Sequence, residues 1–270
     1  MAKQPIKIKD TPIFEQGGFS VIAGPCAIEN KDHLVQTAEL LSKLNVKMLR
    51  GGAYKLRTSP HSFQGIGKEA VILLSDIAKD YGLFSVTEII SLQDIDLIHK
   101  YIDIILVGTR NMYNYPLLKE LGQVSCPIIL KRGMCATVEE WLLAAEYIDN
   151  DKIILCERGI RTFETCTRNT LDLSSAVFVE KKSNFHVITD PSHATGNRDL
   201  VIPMALASKA CGVQGVMVEI HPEPDKALSD AEQMLDFEMF KELINCTNLV
   251  GNAFIRSDIN LCKHIILRNG

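Results

Sequence analysis

One thiol, one imidazole and two carboxylates, at Cys26, His193, Glu219 and Asp230, are the residue types from which a transition-metal site is built. A sulfur, a nitrogen and carboxylate oxygens form a mixed donor set for a divalent ion such as Mn, Fe, Co or Zn, and ligand type alone does not choose among these. Each residue also has an ordinary use. Cys26 suits a small buried hydrophobe, His193 a loop hydrogen-bonder, and Asp230 a first-turn carboxylate on a helix capped by Ser229 and Glu232. A second collection is cationic: Arg50, Lys55, Arg57, Arg110, Lys131, Arg132, Arg158 and Arg161. The whole chain carries 29 Lys+Arg against 33 Asp+Glu, a net charge of −4, so cations gathered at one place run against the overall balance. Arginine forks and lysine point charges suit phosphate and carboxylate groups, which points to an anionic small-molecule ligand. Any single arginine is as well explained by a solvated surface ion pair; the set is not.

These residues are scattered, so a fold must gather them. Eight apolar, β-branched runs recur along the chain, namely residues 19–23, 46–50, 83–87, 102–108, 127–131, 152–156, 185–189 and 213–220. Their nearly continuous hydrophobicity is that of parallel strands covered on both faces. Helical patterns fill the gaps over 31–44, 64–81, 92–101, 115–121, 137–148 and 199–211. In 137–148 the apolar residues share one face, and Thr137 with Glu140 forms a capping box at its start. Eight strand-then-helix units predict an α/β protein, a single (β/α)8 TIM barrel, whose functional residues lie at the C-terminal ends of its strands. The candidate cations and metal donors lie at the C-terminal ends of predicted strands or in the loops after them. A doubly wound sheet fits less well, because the first turn reads Ala23-Gly24-Pro25-Cys26-Ala27 and lacks G-x-G-x-x-G.

Composition narrows the function. With 46% hydrophobic and 23% charged residues over 270 positions the chain is an ordinary globular one, not a disordered or fibrous one. No apolar run approaches the roughly 18 residues of a membrane span, and no apolar segment follows the basic N-terminus as in a secretory signal. Neither a membrane nor a nucleic acid is expected as partner, and the expected location is the cytoplasm. The eight cysteines include no C-x-x-C pair, so they read as reduced thiols.

Several segments resemble one enzyme family. Leu49-Arg-Gly-Gly-Ala-Tyr-Lys-Leu-Arg-Thr-Ser-Pro60, followed by Ser62-Phe-Gln-Gly65, resembles 3-deoxy-D-arabino-heptulosonate 7-phosphate (DAHP) synthase of type Iβ. This branch is related to 3-deoxy-D-manno-octulosonate 8-phosphate synthase. Gly24-Pro-Cys-Ala27, Leu130-Lys-Arg-Gly133, Asp190-Pro-Ser-His-Ala-Thr-Gly-Asn197 and Val218-Glu-Ile-His-Pro222 agree in order, covering about residues 20–235. The resemblance implies a transferase that condenses phosphoenolpyruvate with erythrose 4-phosphate in the first step of the shikimate pathway, which leads to the aromatic amino acids. The alternatives are the octulosonate synthase, using arabinose 5-phosphate, and a non-catalytic phospho-ligand-binding barrel. By the same resemblance Arg50, Arg110, Lys131 and Arg161 hold phosphoenolpyruvate. Lys55 lies between the two substrates, and Arg57 and Thr58 take the aldehyde. Cys26, His193, Glu219 and Asp230 match the family's metal ligands, with Lys55, Cys26 and His193 closest to the chemistry. Lys55, Glu157 and a metal-bound water are the candidates for handling the water's proton. Metal-independent octulosonate relatives have Asn where this chain has Cys26, so the thiol implies metal dependence. A homotetramer or homodimer is implied as well. His221, two residues beyond Glu219, is expected near the metal as a hydrogen-bonder. Glu157 and Arg158 could form an ion pair, and His33, His61 and His99 are read as surface residues.

Residues 18–270 are expected to form the catalytic barrel, with 1–17 a short extension. That length leaves no room for an added ferredoxin-like or chorismate mutase domain. The expectation is insensitivity to phenylalanine and tyrosine unless a separate protein, such as a chorismate mutase, imposes control. One departure from the family bears on substrate binding: Leu56 stands where the family has proline. Proline would fix its own φ and keep Lys55 extended, so its loss leaves the aldehyde loop less pre-organised. Leu56→Pro is therefore expected to lower the Michaelis constant for erythrose 4-phosphate, measured by steady-state kinetics; an unchanged constant would refute the idea.

Overall fold

The computed structural model describes residues 3–55 and 61–250. The chain begins with an antiparallel hairpin of β1 (Ile6–Ile8) and β2 (Thr11–Phe14). Eight parallel strands follow: β3 (Ser20–Gly24), β4 (Met48–Arg50), β5 (Phe84–Ile89), β6 (Ile104–Val107), β7 (Ile128–Lys131), β8 (Ile153–Glu157), β9 (His186–Thr189) and β10 (Gly215–Glu219). They close into a barrel, β10 pairing with both β3 and β9. Each of the eight runs picked out in the sequence overlaps one of these strands, and the (β/α)8 architecture is the predicted one.

The outer layer contains α1 (Lys31–Lys43), α2 (Lys68–Asp80), α3 (Ile95–Tyr101), α4 (Tyr115–Leu121), α5 (Val138–Glu146), α6 (Leu173–Lys182), α7 (Pro191–Thr195) and α8 (Arg198–Ala210). A ninth helix, α9, covers 237–250. The capping box at α5 forms as read: the Glu140 N–H donates to Thr137 Oγ1 (3.1 Å), and the Thr137 N–H to Glu140 Oε2 (2.8 Å). Three boundaries differ from the sequence reading. Helix α2 starts at Lys68, not 64, because Gly65 and Gly67 take positive φ just before it. Helix α6 was not anticipated; its first turn is Leu-Ser-Ser, and its start depends on the Asp172 carboxylate accepting the Ser175 N–H at 2.9 Å. The helix expected after Ser229 is only a 3-10 turn at Ala231–Gln233, because Asp230 turns left-handed at φ 54°. No helix of the described residues is long and apolar enough to cross a membrane.

Two cores share the strands. Ala23, Leu49, Ile105, Leu130, Leu155 and Val218 pack outward beneath the helices. Their neighbours Ile22, Met48, Ile104, Ile129, Ile154, Cys156 and Met217 belong to a separate cluster inside the barrel, as period-2 alternation requires. That inner cluster also contains Ile6, Ile8, Ile13 and Phe14, so the hairpin closes the N-terminal end of the barrel. At the opposite end Gly24 is at φ 151°, and a Cβ there would stand 1.9 Å from the Arg50 carbonyl oxygen. Only glycine lets β3 and β4 approach so closely before the Cys26 turn.

Phe14 is 1% exposed and is the largest side chain that the hairpin contributes to the inner cluster. Phe14→Ala should cost about 3–5 kcal/mol, the range for a buried phenylalanine. Urea denaturation followed by tryptophan fluorescence and circular dichroism measures it. A loss under 1 kcal/mol would mean that the hairpin does not seal the core.

Candidate functional site

The four donor residues converge although they leave three different strands. Cys26 lies two residues beyond β3, Glu219 ends β10, His193 sits in α7 after β9, and Asp230 follows in the loop after β10. One ligand atom from each lies within 4.8 Å of all the others, a set able to hold one metal ion. Cys26 Sγ is 2.9 Å from Asp230 Oδ2, and His193 Nε2 is 3.4 Å from Glu219 Oε1. The His193 ring is oriented from behind: its Nδ1 meets Asp190 Oδ2 at 2.7 Å, which leaves Nε2 facing the cluster.

Burial and charge set the protonation of this group. Burial pushes the Cys26 thiol up to about 12, so without a metal it is a thiol that donates to Asp230. Burial alone would also raise Glu219, but His193, Arg50 and Lys55 outweigh it and hold that carboxyl at about 2. His193 is shifted down, because burial outweighs the pull of Asp190 and Glu219. Burial would lower Lys55, yet the neighbouring Cys26 sulfur and the Glu219 carboxylate outweigh it and keep its ammonium protonated more firmly than usual. Its Nζ lies 2.7 Å from Cys26 Sγ and 3.9 Å from Asp230 Oδ2.

Beside the cluster opens a cavity of about 460 Å³ at the C-terminal end of the barrel. Among the described residues Lys55, Arg110, Lys131, Arg158, Arg161 and Arg168 line it, with Glu88 and Asp230 as the acids, beside Ser62, Asn169, Met134, His193, Gly108 and Thr109. Lys131 is committed to Asp190 at 2.5 Å. Among the described residues Arg110, Arg158 and Arg161 have no carboxylate partner. Arg158 is 6% exposed and its Nε bonds to nothing, so a buried cation faces the cavity unpaired. Burial shifts its acidity in the direction of losing the charge, and an anion in the cavity would offset that cost.

Strand alternation explains which predicted residues arrive. Arg50, Lys131 and Glu219 share the inward parity of Met48, Ile129 and Met217. Arg158, read from sequence as one half of an ion pair with Glu157, shares the parity of Ile154 and Cys156 and lines the cavity. Glu157 has the opposite parity and lies under the helices. It pairs there with Arg132 at 2.9 Å and accepts the Gly159 N–H at 2.6 Å. The expected Glu157–Arg158 pair does not form, and Glu157 does not line the cavity, which removes it as a base for water. Arg50 does not line the cavity either; it is buried and its Nη1 bonds to Glu219 Oε1 behind the cluster. Arg57, Thr58 and Leu56 lie outside the described residues. Arg168 was missed, because it stands in a polar loop 11 residues beyond the end of β8, where no strand parity reaches.

His221 is not beside the donor cluster. The chain turns after Glu219, and His221 stacks edge-on with His33 (centroids 4.7 Å apart) near Glu29. His33 is thus half-buried, not a surface residue. Glu29, His33 and His221 are close enough to suggest a second ion. However, His221 Nδ1 accepts the Glu223 N–H at 3.0 Å, which puts the ring proton on Nε2, the nitrogen facing Glu29. A metal-ligating imidazole shows the reverse arrangement, as His193 does.

The comparisons with known proteins fall on this geometry. Residues 5–252 match the model of the DAHP synthetase I family. The chain belongs to that family. Phospho-2-dehydro-3-deoxyheptonate aldolase of Thermotoga maritima is 53% identical over 240 residues, covering 88% of this chain and 71% of that protein. A crystal structure of the Thermotoga maritima enzyme, titled DAHP synthase, superposes with a TM-score of 0.90 at 49% identity, over 94% of this chain and 75% of that one. A truncated form gives 0.87 at 46% identity, over 94% of both chains. By contrast, a 2-dehydro-3-deoxyphosphooctonate aldolase of Syntrophobacter fumaroxidans is 28% identical, over 90% of this chain and 92% of that protein. The octulosonate branch is the distant one.

The buried Arg132–Glu157 pair is structural, with Asp172 as a second partner of Arg132 at 3.1 Å. Breaking a buried pair from one side costs about 3–5 kcal/mol, so Glu157→Ala should lower stability by that order in a denaturant titration. A stability loss under 1 kcal/mol with activity abolished would instead place Glu157 in the chemistry.

Proposed function

We propose that this DAHP synthase family member condenses phosphoenolpyruvate, erythrose 4-phosphate and water into 3-deoxy-D-arabino-heptulosonate 7-phosphate and phosphate. The observation that carries the reading is a sulfur–nitrogen–oxygen donor cluster opening onto a cavity with three unpaired guanidinium groups. The family implies a divalent metal, and the donors fit one. All four ligand atoms lie within 4.8 Å of one another, and Asp190 fixes His193 in the ligating orientation. Cys26, His193, Glu219 and Asp230 would hold it, with the Cys26 proton displaced on binding. When bound, such an ion supplies Lewis-acid polarisation of the aldehyde carbonyl.

The chain's own residues do the rest. Arg110, Arg158 and Arg161, with Lys131, give the carboxylate and phosphate of phosphoenolpyruvate fixed, charged donors. Arg50, expected from the resemblance to hold phosphoenolpyruvate, instead holds Glu219 in place behind the donor cluster. C3 of phosphoenolpyruvate attacks the aldehyde carbon, and the carbonyl oxygen gains a negative charge. Lys55 Nζ, a buried ammonium beside Cys26, stands ready to give that oxygen a proton. Water then adds at C2 and phosphate leaves, its charge met by the same arginines. Arg57 and Thr58 remain the residues proposed for the aldehyde substrate. The catalytic unit in this reading is the barrel from residue 18 onward, working as a cytoplasmic homotetramer or homodimer. A separate chorismate mutase is the partner through which control would come.

Product formation from phosphoenolpyruvate and erythrose 4-phosphate should be lost with a chelator and restored by Mn or Co. Cys26→Ser should likewise abolish it, and arabinose 5-phosphate should be a poor substitute. Arg158→Ala should raise the Michaelis constant for phosphoenolpyruvate about tenfold or more, since a charge-assisted contact is worth about 1.5–3 kcal/mol. Full turnover by metal-free protein would overturn the metal assignment, and preference for arabinose 5-phosphate the substrate.

A further inference from the structure

We propose that Arg168, acting partly through Gln233, sets which oxygen of each cluster carboxylate faces the metal position. This positioning role rests on the metal assignment above. Arg168 leaves the loop between β8 and α6, and its backbone N–H donates to the Thr195 carbonyl at 3.0 Å, tying that loop to the end of α7. Its side chain crosses to the loop after β10. There Nη1 donates to Gln233 Oε1 at 2.7 Å, and Nη2 lies 3.3 Å from Asp230 Oδ1. Gln233 is 1% exposed and donates its Nε2–H to Glu219 Oε2.

A guanidinium only donates and a carboxylate only accepts, so the amide between them has one workable orientation. Asp230 Oδ1 and Glu219 Oε2 are engaged from outside the cluster. Asp230 Oδ2 stays turned to Cys26 at 2.9 Å, and Glu219 Oε1, which also accepts from Arg50 Nη1, to His193 at 3.4 Å. Arg50 thus anchors one oxygen of Glu219, and Gln233 fixes the other. The backbone of Asp230 is left-handed, at φ 54° and ψ 38°, a region that aspartate enters more readily than most residues with a side chain. One fork therefore reaches one carboxylate directly and the other through a single buried amide. Arg168 also lines the cavity, so contact with a substrate phosphate is the competing role, and the two differ in what they move.

The test compares Arg168→Gln, Gln233→Met and Cys26→Ser with the unaltered chain. The Mn dissociation constant is measured by competition with a fluorescent chelator, and phosphoenolpyruvate affinity by calorimetry on metal-free protein. Arg168→Gln and Gln233→Met should each weaken metal binding about 10–100-fold, the range for partners that orient metal ligands, and leave phosphoenolpyruvate affinity unchanged. Arg168→Lys, with one charge but no fork, should recover part of the loss. Metal affinity within twofold of the original in both variants would overturn the proposal. So would weakened phosphoenolpyruvate binding with metal affinity intact in Arg168→Gln. Were Cys26→Ser also to bind Mn undiminished, the ion would be held elsewhere, and the metal assignment would fall with this one.

Discussion

The alternation of side chains along each barrel strand is the constraint on which the site depends. A parallel strand enclosed by helices must send successive residues to opposite, equally apolar sides. At its last two positions that rule becomes a sorting device for charge. Lys131 goes inward and Arg132 outward; Glu157 goes outward and Arg158 inward. The outward pair meets across β7 and β8 and neutralises itself under the helices. Inward, Arg50 meets Glu219 and Lys131 meets Asp190, but Arg158 has no such partner, and the cavity of a chain that is negative overall is lined mostly by cations.

A concentration of buried like charges is costly unless something offsets it. Part of the offset is internal. Asp190 pairs with Lys131 and His193, and Glu219 with Arg50, while both carboxyls are held far toward the ionised form against the effect of burial. Arg110, Arg158 and Arg161 stay outside this network. The division is informative: the cations nearest the donor cluster, Arg50, Lys55 and Lys131, meet carboxylates of the protein, whereas three arginines of the cavity wall do not. Among the described residues the cavity wall thus carries more positive than negative charge, a field that favours anions over cations.

Much of this was legible in the sequence, because parallel strands write themselves as dense β-branched runs and the donor residues follow those runs directly. The eight strands and the capped start of α5 were readable in that way, whereas the grouping of Cys26, His193, Glu219 and Asp230 rested on the family resemblance as well as on the strand ends. Strand parity, counted from Cys156, would also have separated Arg158 from Glu157, and that signal was there to use. Arg168 had no such signal, since a loop residue's direction is set by tertiary contacts that no period records. The same holds for His221: the chain leaves strand geometry after Glu219, and counting by twos no longer says where a side chain goes. Asp230 looked like the first turn of a capped helix, but its left-handed backbone overrode the capping pattern of Ser229 and Glu232.

The N-terminal hairpin gives the barrel a direction of traffic. With Ile6, Ile8, Ile13 and Phe14 packed into the inner core, the described residues close one end of the barrel. The cavity lies at the other end. A plugged floor thus turns a symmetrical cylinder into a one-sided vessel, in which an anion drawn to Lys131 and Arg158 enters and leaves by the same face.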